Sequence, residues 1–328
     1  MIKRVFYLLL TTALVMAAWM SYFLLSPVAL PSIPYTFDVK SGTTMKKVAQ
    51  QLAQAGVLKQ PFTFTLAARL AGKGSALKAG NYALEAALTP WELLQKLTKG
   101  DVNQAQIKFI EGWKFSQLRE ALDSESSLQH DTRGLSDAEI MTKLGWPNQH
   151  PEGRFFPDTY YFSSGMSDLS ILARAHKLMQ TQLENTWRER AKNLPYSTMD
   201  EALIMASIVE KETGQAAERP TIAGVFVNRL RMGMLLQTDP TVIYGLGQNY
   251  DGNLHKRDLR ADTPYNTYTR PGLPPSPIAM PGVEALRAAV NPAPTNALYF
   301  VARGNGTHKF SSSLEEHNQA VNQYQKQR

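Results

Sequence analysis

Residues 203–212 read LIMASIVEKE, and the apolar positions of this run have the spacing of a buried helix. Apolar residues recur at i, i+1, i+4 and i+5, which predicts one apolar stripe along the helix. At about 100° per residue, Glu212 falls near the centre of that stripe. Glu210 falls on roughly the opposite face and is expected to point to water. Gly214 follows as a predicted helix stop.

An acid on an apolar stripe has a chemical consequence. Burial removes water from the charged form of a carboxyl group, so the pKa of Glu212 is expected to rise. A raised pKa is what a general acid needs near neutral pH. The alternative is that Glu212, on the last turn of the helix, simply emerges into solvent beside the core.

The residues after this helix contain amides, hydroxyls and tyrosines set among turn-forming residues, as binding loops do. Amides and hydroxyls bond to sugar hydroxyls, and a tyrosine ring covers the apolar face of a pyranose. Each of these side chains also has an ordinary structural interpretation, as a cap, a bridge or a core residue. The candidate substrate contacts are Asn228, Gln237, Tyr244, Asn266 and Tyr268.

Several separate motifs occur together in one order. The chain resembles the endolytic murein transglycosylases, also described as the membrane-bound lytic transglycosylase G or YceG-like family, over nearly its whole length. The motif EGRFFPDTY has Arg154 where the family has a bulky apolar residue. The motifs that carry the resemblance are EGRFFPDTY (152–160), SIVEKET (207–213), VFVNRL (225–230), LQTDPTVIYG (236–245), YNTY (265–268) and GLPP (272–275).

The resemblance implies an enzyme, a lyase of peptidoglycan acting in cell wall synthesis or glycan-length control. Glu212 matches the family's catalytic acid/base. Such an enzyme cleaves the β-1,4 bond between N-acetylmuramic acid and N-acetylglucosamine within a glycan strand and leaves a 1,6-anhydro end. The muramic 6-hydroxyl is the nucleophile, so one carboxyl group suffices and no metal or cofactor is expected. Murein synthases are candidate partners.

Two other functions remain open at this point. A hydrolase of the same polymer would use water and would normally need a second carboxylate. Asp239 and Asp158 are the candidates for that second group. A scaffold that binds the cell wall without catalysing a reaction would need no catalytic carboxylate. His317, beside Asn318 and near His308 in the sequence, could form a site with it, but a structural role is the expectation.

The N-terminus predicts a membrane anchor. Residues 5–25 form an apolar run long enough to span a bilayer, and Lys3 and Arg4 precede it. The positive-inside rule then leaves a cytoplasmic tip at 1–4 and places the rest beyond the inner (cytoplasmic) membrane, on the periplasmic side. A cleaved signal peptide is the alternative, although its apolar region is normally only about 7–15 residues.

The composition of the chain indicates which partners an exported protein of this kind is expected to bind. The net charge is +7, the sequence pI is near 9.4 and there is no cysteine, so neither disulfides nor thiolate metal sites are expected. A basic exported chain is expected to meet anionic lipid or wall polymer, not nucleic acid.

The predicted organisation is α+β, because helices and strands are mixed without regular alternation. The strand 35–39, the turn 40–43 and the helix 45–55 resemble half of a LysM module, a fold that binds N-acetylglucosamine polymers. A purely structural lobe is the alternative. A further strand is expected at 108–112. The predicted segments after the anchor are a tether (26–34), a LysM-like lobe (35–110), a connecting segment (111–150) and a catalytic domain (151–328).

Overall fold

The structure is a computed structural model, and it describes residues 2–33, 35–40, 42–100 and 104–325. Five parts of the predicted segments therefore lie outside the described residues. They are Met1 of the tip, Pro34 of the tether, Ser41 of the predicted turn, residues 101–103 of the lobe and residues 326–328 of the catalytic domain.

The chain divides into two compact units. The first unit comprises 1–106 and 161–166, and the second comprises 107–160 and 167–328. Helices are mixed with short pairs of strands, two of which are antiparallel. This mixture confirms the α+β class. The predicted domain boundaries at 110 and 150 stay predictions.

The first unit begins with an apolar helix. Residues Lys3–Leu25 form a helix that is long and apolar enough to cross a membrane. A signal sequence near an N-terminus satisfies the same criteria, so the anchor stays a prediction. The elements that start in this unit are α1 (Ile2–Leu25), β1 (Tyr35–Val39), α2 (Met45–Gln54), α3 (Pro61–Leu70), β2 (Gly80–Leu84), α4 (Pro90–Lys99) and β3 (Gln104–Lys108).

The lobe of the first unit is built on an antiparallel pair, β1 with β2. Phe37 lies opposite Tyr82, and their rings stack with centroids 5.6 Å apart. Helix α2 confirms the predicted helix and packs on α3, which the sequence patterns above did not indicate. Helix α4 begins with a capping box formed by Thr89 and Glu92, and it ends at Gly100 in the left-handed conformation.

The strand predicted at 108–112 was placed too late in the chain. The observed strand β3 ends at Lys108 and pairs with β4 (Thr159–Ser163). Gly112 has φ +77°, a left-handed conformation that interrupts an extended strand. Its N–H donates to the carbonyl oxygen of Met280 at 2.8 Å instead of to a neighbouring strand.

The second unit is mainly helical around α8 (Met199–Glu212), which is buried on all sides over residues 202–209. Helices α9 (Arg219–Arg231) and α12 (Val283–Val290) pack on it, and a hairpin of β5 (Tyr299–Ala302) and β6 (His308–Ser311) precedes the last helix. The remaining elements are α5 (Phe115–Ser124), α6 (Asp137–Lys143), α7 (Asp168–Arg188), α8 (Met199–Glu212), α9 (Arg219–Arg231), α10 (Asp239–Leu246), α11 (Lys256–Arg260), α12 (Val283–Val290), β5 (Tyr299–Ala302), β6 (His308–Ser311) and α13 (Leu314–Tyr324).

The close approach of a loop to α9 requires a glycine. A Cβ atom added at Gly224 would lie 2.6 Å from the carbonyl oxygen of Ala293 and 2.8 Å from Cγ2 of Thr295. In an open helix, replacing glycine by alanine stabilises by about 0.5–1 kcal/mol. Here overlap with a backbone oxygen outweighs that gain.

Gly224→Ala is therefore expected to lower the free energy of unfolding by about 1–3 kcal/mol. Urea unfolding of the full chain in detergent micelles measures this change. Gly214→Ala is the matched control, because a Cβ there meets nothing within 4 Å. The control should change stability by less than about 0.5 kcal/mol. An equally or more stable Gly224→Ala variant would contradict the packing at α9.

Candidate active site

Helix α8 carries Glu212 at its end, and both ends of the helix are fixed. At the start, Thr198 caps the helix and Glu201 completes a capping box. In the middle, the Ser207 hydroxyl accepts a hydrogen bond from the N–H of Ile278 at 3.0 Å. Thr213 is extended, so the helix stops directly after Glu212. The carboxyl group is thereby held at a fixed place in the second unit.

Glu212 lines an open cavity of about 440 Å³. Three polar side chains from the motifs quoted above, Gln237, Asp239 and Tyr268, line the same cavity. The structure therefore brings together the predicted acid and two of the five predicted substrate contacts. The cavity has room for part of an extended ligand and opens to solvent.

The environment of Glu212 raises the pKa of its carboxyl group to about 7. Burial is the main cause, since it disfavours the charged form, and the negative charge of Asp239 adds to it. A hydrogen bond from Thr238, followed by the charges of His308 and Arg229, acts in the opposite direction. The result is a carboxyl group that holds or releases a proton near neutral pH, as expected from the sequence.

Thr238 is a site residue that sequence reasoning did not single out. Its hydroxyl donates a hydrogen bond to Oε1 of Glu212. Two other threonines hold it in place. The N–H of Thr238 donates to Oγ1 of Thr267 at 3.1 Å, and Thr241 Oγ1 donates to the Thr238 carbonyl at 2.8 Å. Its position between Gln237 and Asp239, in the motif LQTDPTVIYG, was the feature of the sequence that could have identified it.

Tyr268 and Asp239 form a second polar pair in the cavity. The Tyr268 hydroxyl donates to Oδ1 of Asp239 at 2.5 Å. Burial raises the pKa of Tyr268, so the phenol stays protonated. Gln237 lies beside them with φ +50°, a left-handed conformation that is uncommon outside glycine. All three side chains line the cavity that Glu212 lines.

The structure does not bring Asn228 or Asn266 to this cavity. The Asn228 amide donates to the carbonyls of Thr295 and Ala297 at 2.8 and 3.1 Å, tying α9 to the loop before β5. Asn266 is fully buried, and its amide oxygen accepts from the N–H of Tyr268 at 2.9 Å. From outside the cavity, Asn266 thus holds the backbone of Tyr268, which lines it.

Tyr244 lies in a separate buried cluster of the second unit. Its hydroxyl is hydrogen-bonded to Glu152, and the Lys114 ammonium lies 5.4 Å from its ring centroid. Glu152 also accepts from the N–H of Phe115 at 2.9 Å. Burial raises the pKa of Glu152 to about 7. The cluster fixes the start of α5 against α10, and no sequence pattern described above indicated that Glu152 is a buried acid.

The expectation that Glu210 points to water is wrong. Its side chain is only 5% exposed and forms an ion pair with Arg219 at 3.1 Å. Its other oxygen accepts from the N–H of Gly282 at 2.9 Å. The reason is that the starts of α9 and α12 cover this side of α8, so the Glu210 carboxylate meets Arg219 and the N–H of Gly282 instead of water. Glu210 ties the end of α8 to the starts of α9 and α12.

The opposite wall of the cavity is aromatic and basic. The Arg229 guanidinium donates to the carbonyls of Leu298 and Leu236 at 2.6 and 2.9 Å and lies 5.1 Å from the Tyr299 ring centroid. His317 stacks on Tyr299 with centroids 5.2 Å apart. Both Arg229 and His317 line the cavity. The structure thus places His317 in the lining of the cavity, together with His308, although a structural role was the expectation.

The fold and site define an α+β protein with a protonatable carboxyl group in an open polar cleft. Residues 37–323 match the model of the YceG-like family. The chain therefore belongs to the YceG-like family.

Similar proteins support this membership. The endolytic murein transglycosylase of Bacillus subtilis (strain 168) is 34% identical over 319 residues, covering 92% of this chain and 88% of that protein. The endolytic murein transglycosylase of Streptococcus pneumoniae serotype 2 is 28% identical, covering 87% of this chain and 57% of that protein. A crystal structure of a yceG-like protein from Listeria monocytogenes superposes with a TM-score of 0.54 at 28% identity, covering 87% of this chain and 98% of that one.

Glu210→Gln is expected to lower the free energy of unfolding by about 1–3 kcal/mol, because it removes the nearer of the two carboxylates around the Arg219 guanidinium and leaves only Glu111, at 3.9 Å. Urea unfolding of the full chain in detergent micelles is the measurement. Glu284→Gln is the matched control, since Glu284 pairs with Arg287 at 2.7 Å with both side chains more than half exposed. The control should cost less than about 1 kcal/mol. Equal, small effects of both changes would disprove the structural role of Glu210.

Proposed function

We propose that this protein is an endolytic lytic transglycosylase of peptidoglycan. The observation that carries the proposal is Glu212, a carboxyl group with a pKa of about 7 in the wall of an open polar cavity. The relatives named as endolytic murein transglycosylases support the same polymer as substrate. The bond cleaved is the β-1,4 link from N-acetylmuramic acid to N-acetylglucosamine, within the strand.

Glu212 acts as the only acid/base in the proposed mechanism. The protonated carboxyl group gives its proton to the oxygen that joins the two sugars, and the bond from that oxygen to C1 breaks. The resulting carboxylate takes the proton of the muramic 6-hydroxyl, whose oxygen bonds to C1. The product carries a 1,6-anhydro ring, and no water is consumed. The Thr238 hydroxyl stabilises the carboxylate form of Glu212 between the two steps.

Gln237 and Tyr268 are the proposed substrate contacts among the five residues predicted from the sequence. Both line the cavity with Glu212, whereas Asn228, Tyr244 and Asn266 do not line it. The Tyr268 phenol offers an apolar face and a polar tip, which suits a sugar ring.

A hydrolase of the same polymer is the second candidate, and Asp239 is the observation in its favour. Asp239 lines the cavity with Glu212, so a second carboxylate is at hand to activate water. Asp158 does not line this cavity, and its carboxylate accepts from the N–H of Thr159 at 2.7 Å. The two reactions differ by one water in product mass.

The proposed setting is the periplasmic face of the inner membrane, with α1 as a single-pass anchor. The order β1-α2-α3-β2, with antiparallel β1 and β2, supports a LysM-like lobe that binds N-acetylglucosamine chains. Murein synthases are proposed as partners, because an enzyme that cuts new strands acts where they are made.

Glu212→Gln tests the proposal. The full chain in detergent micelles is incubated with purified uncrosslinked glycan strands, and the products are weighed by mass spectrometry. The wild type should yield internal fragments with anhydro ends, and Glu212→Gln should lose at least about a thousandfold in rate while it stays folded. Glu189→Gln, on the exposed end of α7, is the matched control and should retain full activity. Products that contain the extra water would establish the hydrolase instead, and an active Glu212→Gln variant would exclude Glu212 as the acid.

A further inference from the structure

A histidine and a glutamate form a fixed pair beside the Glu212 cavity. The N–H of His308 donates to Oε1 of Glu218 at 3.0 Å, and Nδ1 of the same residue lies 2.7 Å from Oε2. Glu218 ends a short 3-10 helix, Ala216–Glu218, that follows α8, while His308 begins β6. The pair therefore links the hairpin to the segment just after the proposed catalytic residue.

The ionisation of Glu218 determines which nitrogen of His308 carries the proton. Burial alone would raise the pKa of Glu218, but the hydrogen bonds from His308 outweigh it and lower the pKa. An ionised carboxylate only accepts hydrogen bonds, so Nδ1 of His308 must be the donor. The other nitrogen, Nε2, is thereby an acceptor in the neutral ring and a donor in the charged ring.

The Nε2 atom of His308 is available to a ligand. Within the part of the chain that the structure describes, no protein group forms a hydrogen bond to it. His308 lines the same cavity as Glu212, and its ring is held edge to face against Phe300 with centroids 5.4 Å apart. The contact with Phe300 and the hydrogen bond at Nδ1 therefore fix the orientation of the ring, and Nε2 is left for a ligand.

We propose that His308, oriented by Glu218, binds a hydroxyl group of the sugar that occupies the cavity through Nε2. This inference rests on the proposed function of the Glu212 site. A hydroxyl group is the fitting partner because it both donates and accepts, so it bonds to either protonation state of the ring. His308 touches substrate in this account, and Glu218 acts through it as a positioning residue.

The same placement couples His308 to the proposed acid. Its charge lowers the pKa of Glu212, as does the charge of Arg229 on α9, while Asp239 on α10 raises it. Glu218 and Arg303 are the charged groups on the far side of His308. Removing the imidazole therefore shifts the ionisation of Glu212 to higher pH. Because activity needs protonated Glu212, the alkaline limb of the rate profile must move to higher pH.

Two substitutions separate the roles of the two ring nitrogens. His308→Asn keeps an amide near the Nδ1 position, within reach of Glu218, and removes the group at Nε2. His308→Gln places an amide near Nε2 and gives up the contact with Glu218. His255→Asn is the matched control, because His255 pairs with Asp251 at 3.1 Å on an exposed surface.

The expected result is that His308→Asn lowers kcat/KM about tenfold at an unchanged melting temperature, the effect of one lost hydrogen bond. His308→Gln should keep more of the activity and melt lower. Both His308 variants should shift the alkaline limb to higher pH. The control His255→Asn should change neither kcat/KM nor the position of the alkaline limb. The full chain in micelles acting on uncrosslinked strands, at substrate concentrations well below KM, supplies these rates.

His308→Asn with wild-type kcat/KM and an unchanged alkaline limb would overturn the inference and leave His308 a structural residue. If His308→Asn does not fold, His308→Gln decides by the position of its alkaline limb, since an unchanged limb overturns the inference as well. Glu212→Gln in the same assay separates the two proposals. An active Glu212→Gln variant refutes the proposed function. If Glu212→Gln is inactive while His308→Asn keeps the kcat/KM and the alkaline limb of the wild type, only the role of His308 is refuted.

Discussion

The withdrawal of one carboxyl group from water, at the end of α8, is the constraint on which the rest of the second unit depends. A charged carboxylate in such a place is costly, and the cost appears as the raised pKa of Glu212. The protein keeps the group there by enclosing α8 over residues 202–209 and ending the helix directly after it. Glu210 serves the same purpose, because its ion pair with Arg219 fastens the last turn.

The sequence predicted the elements whose patterns are local. The period of residues 203–212 predicted α8 and the inward position of Glu212, and the pattern of residues 35–55 predicted β1 and α2. The same reasoning failed at Glu210 because a helical period assigns one face to water only when the helix has a solvent face. Here α9 and the start of α12 cover that face, and no local pattern reports such a long-range contact.

The candidate site residues show the same difference between what a local pattern predicts and what depends on long-range contacts. Gln237 and Tyr268 were predicted from residue type and lie in the cavity, but Asn228 and Asn266 were chosen for the same amide chemistry and bond to backbone carbonyls instead. Buried polar groups must find partners, so an amide in a turn-rich motif often stabilises the turn itself. Thr238 was not indicated by the sequence, and a structural role was expected for His308, because the surroundings of both side chains depend on residues far along the chain.

Direct titration of Glu212 tests the central claim. The full chain is labelled with ¹³C at the glutamate carboxyl carbons and held in micelles. NMR then follows the carboxyl signals from pH 3 to pH 9, roughly the range from below the free pKa of glutamate to above a strongly raised one. The signal absent from Glu212→Gln belongs to this group. A midpoint at about 7 is the predicted result. A midpoint near the free value of about 4.3 would contradict the account, because Glu212 would then be ionised at neutral pH and unable to protonate a leaving oxygen.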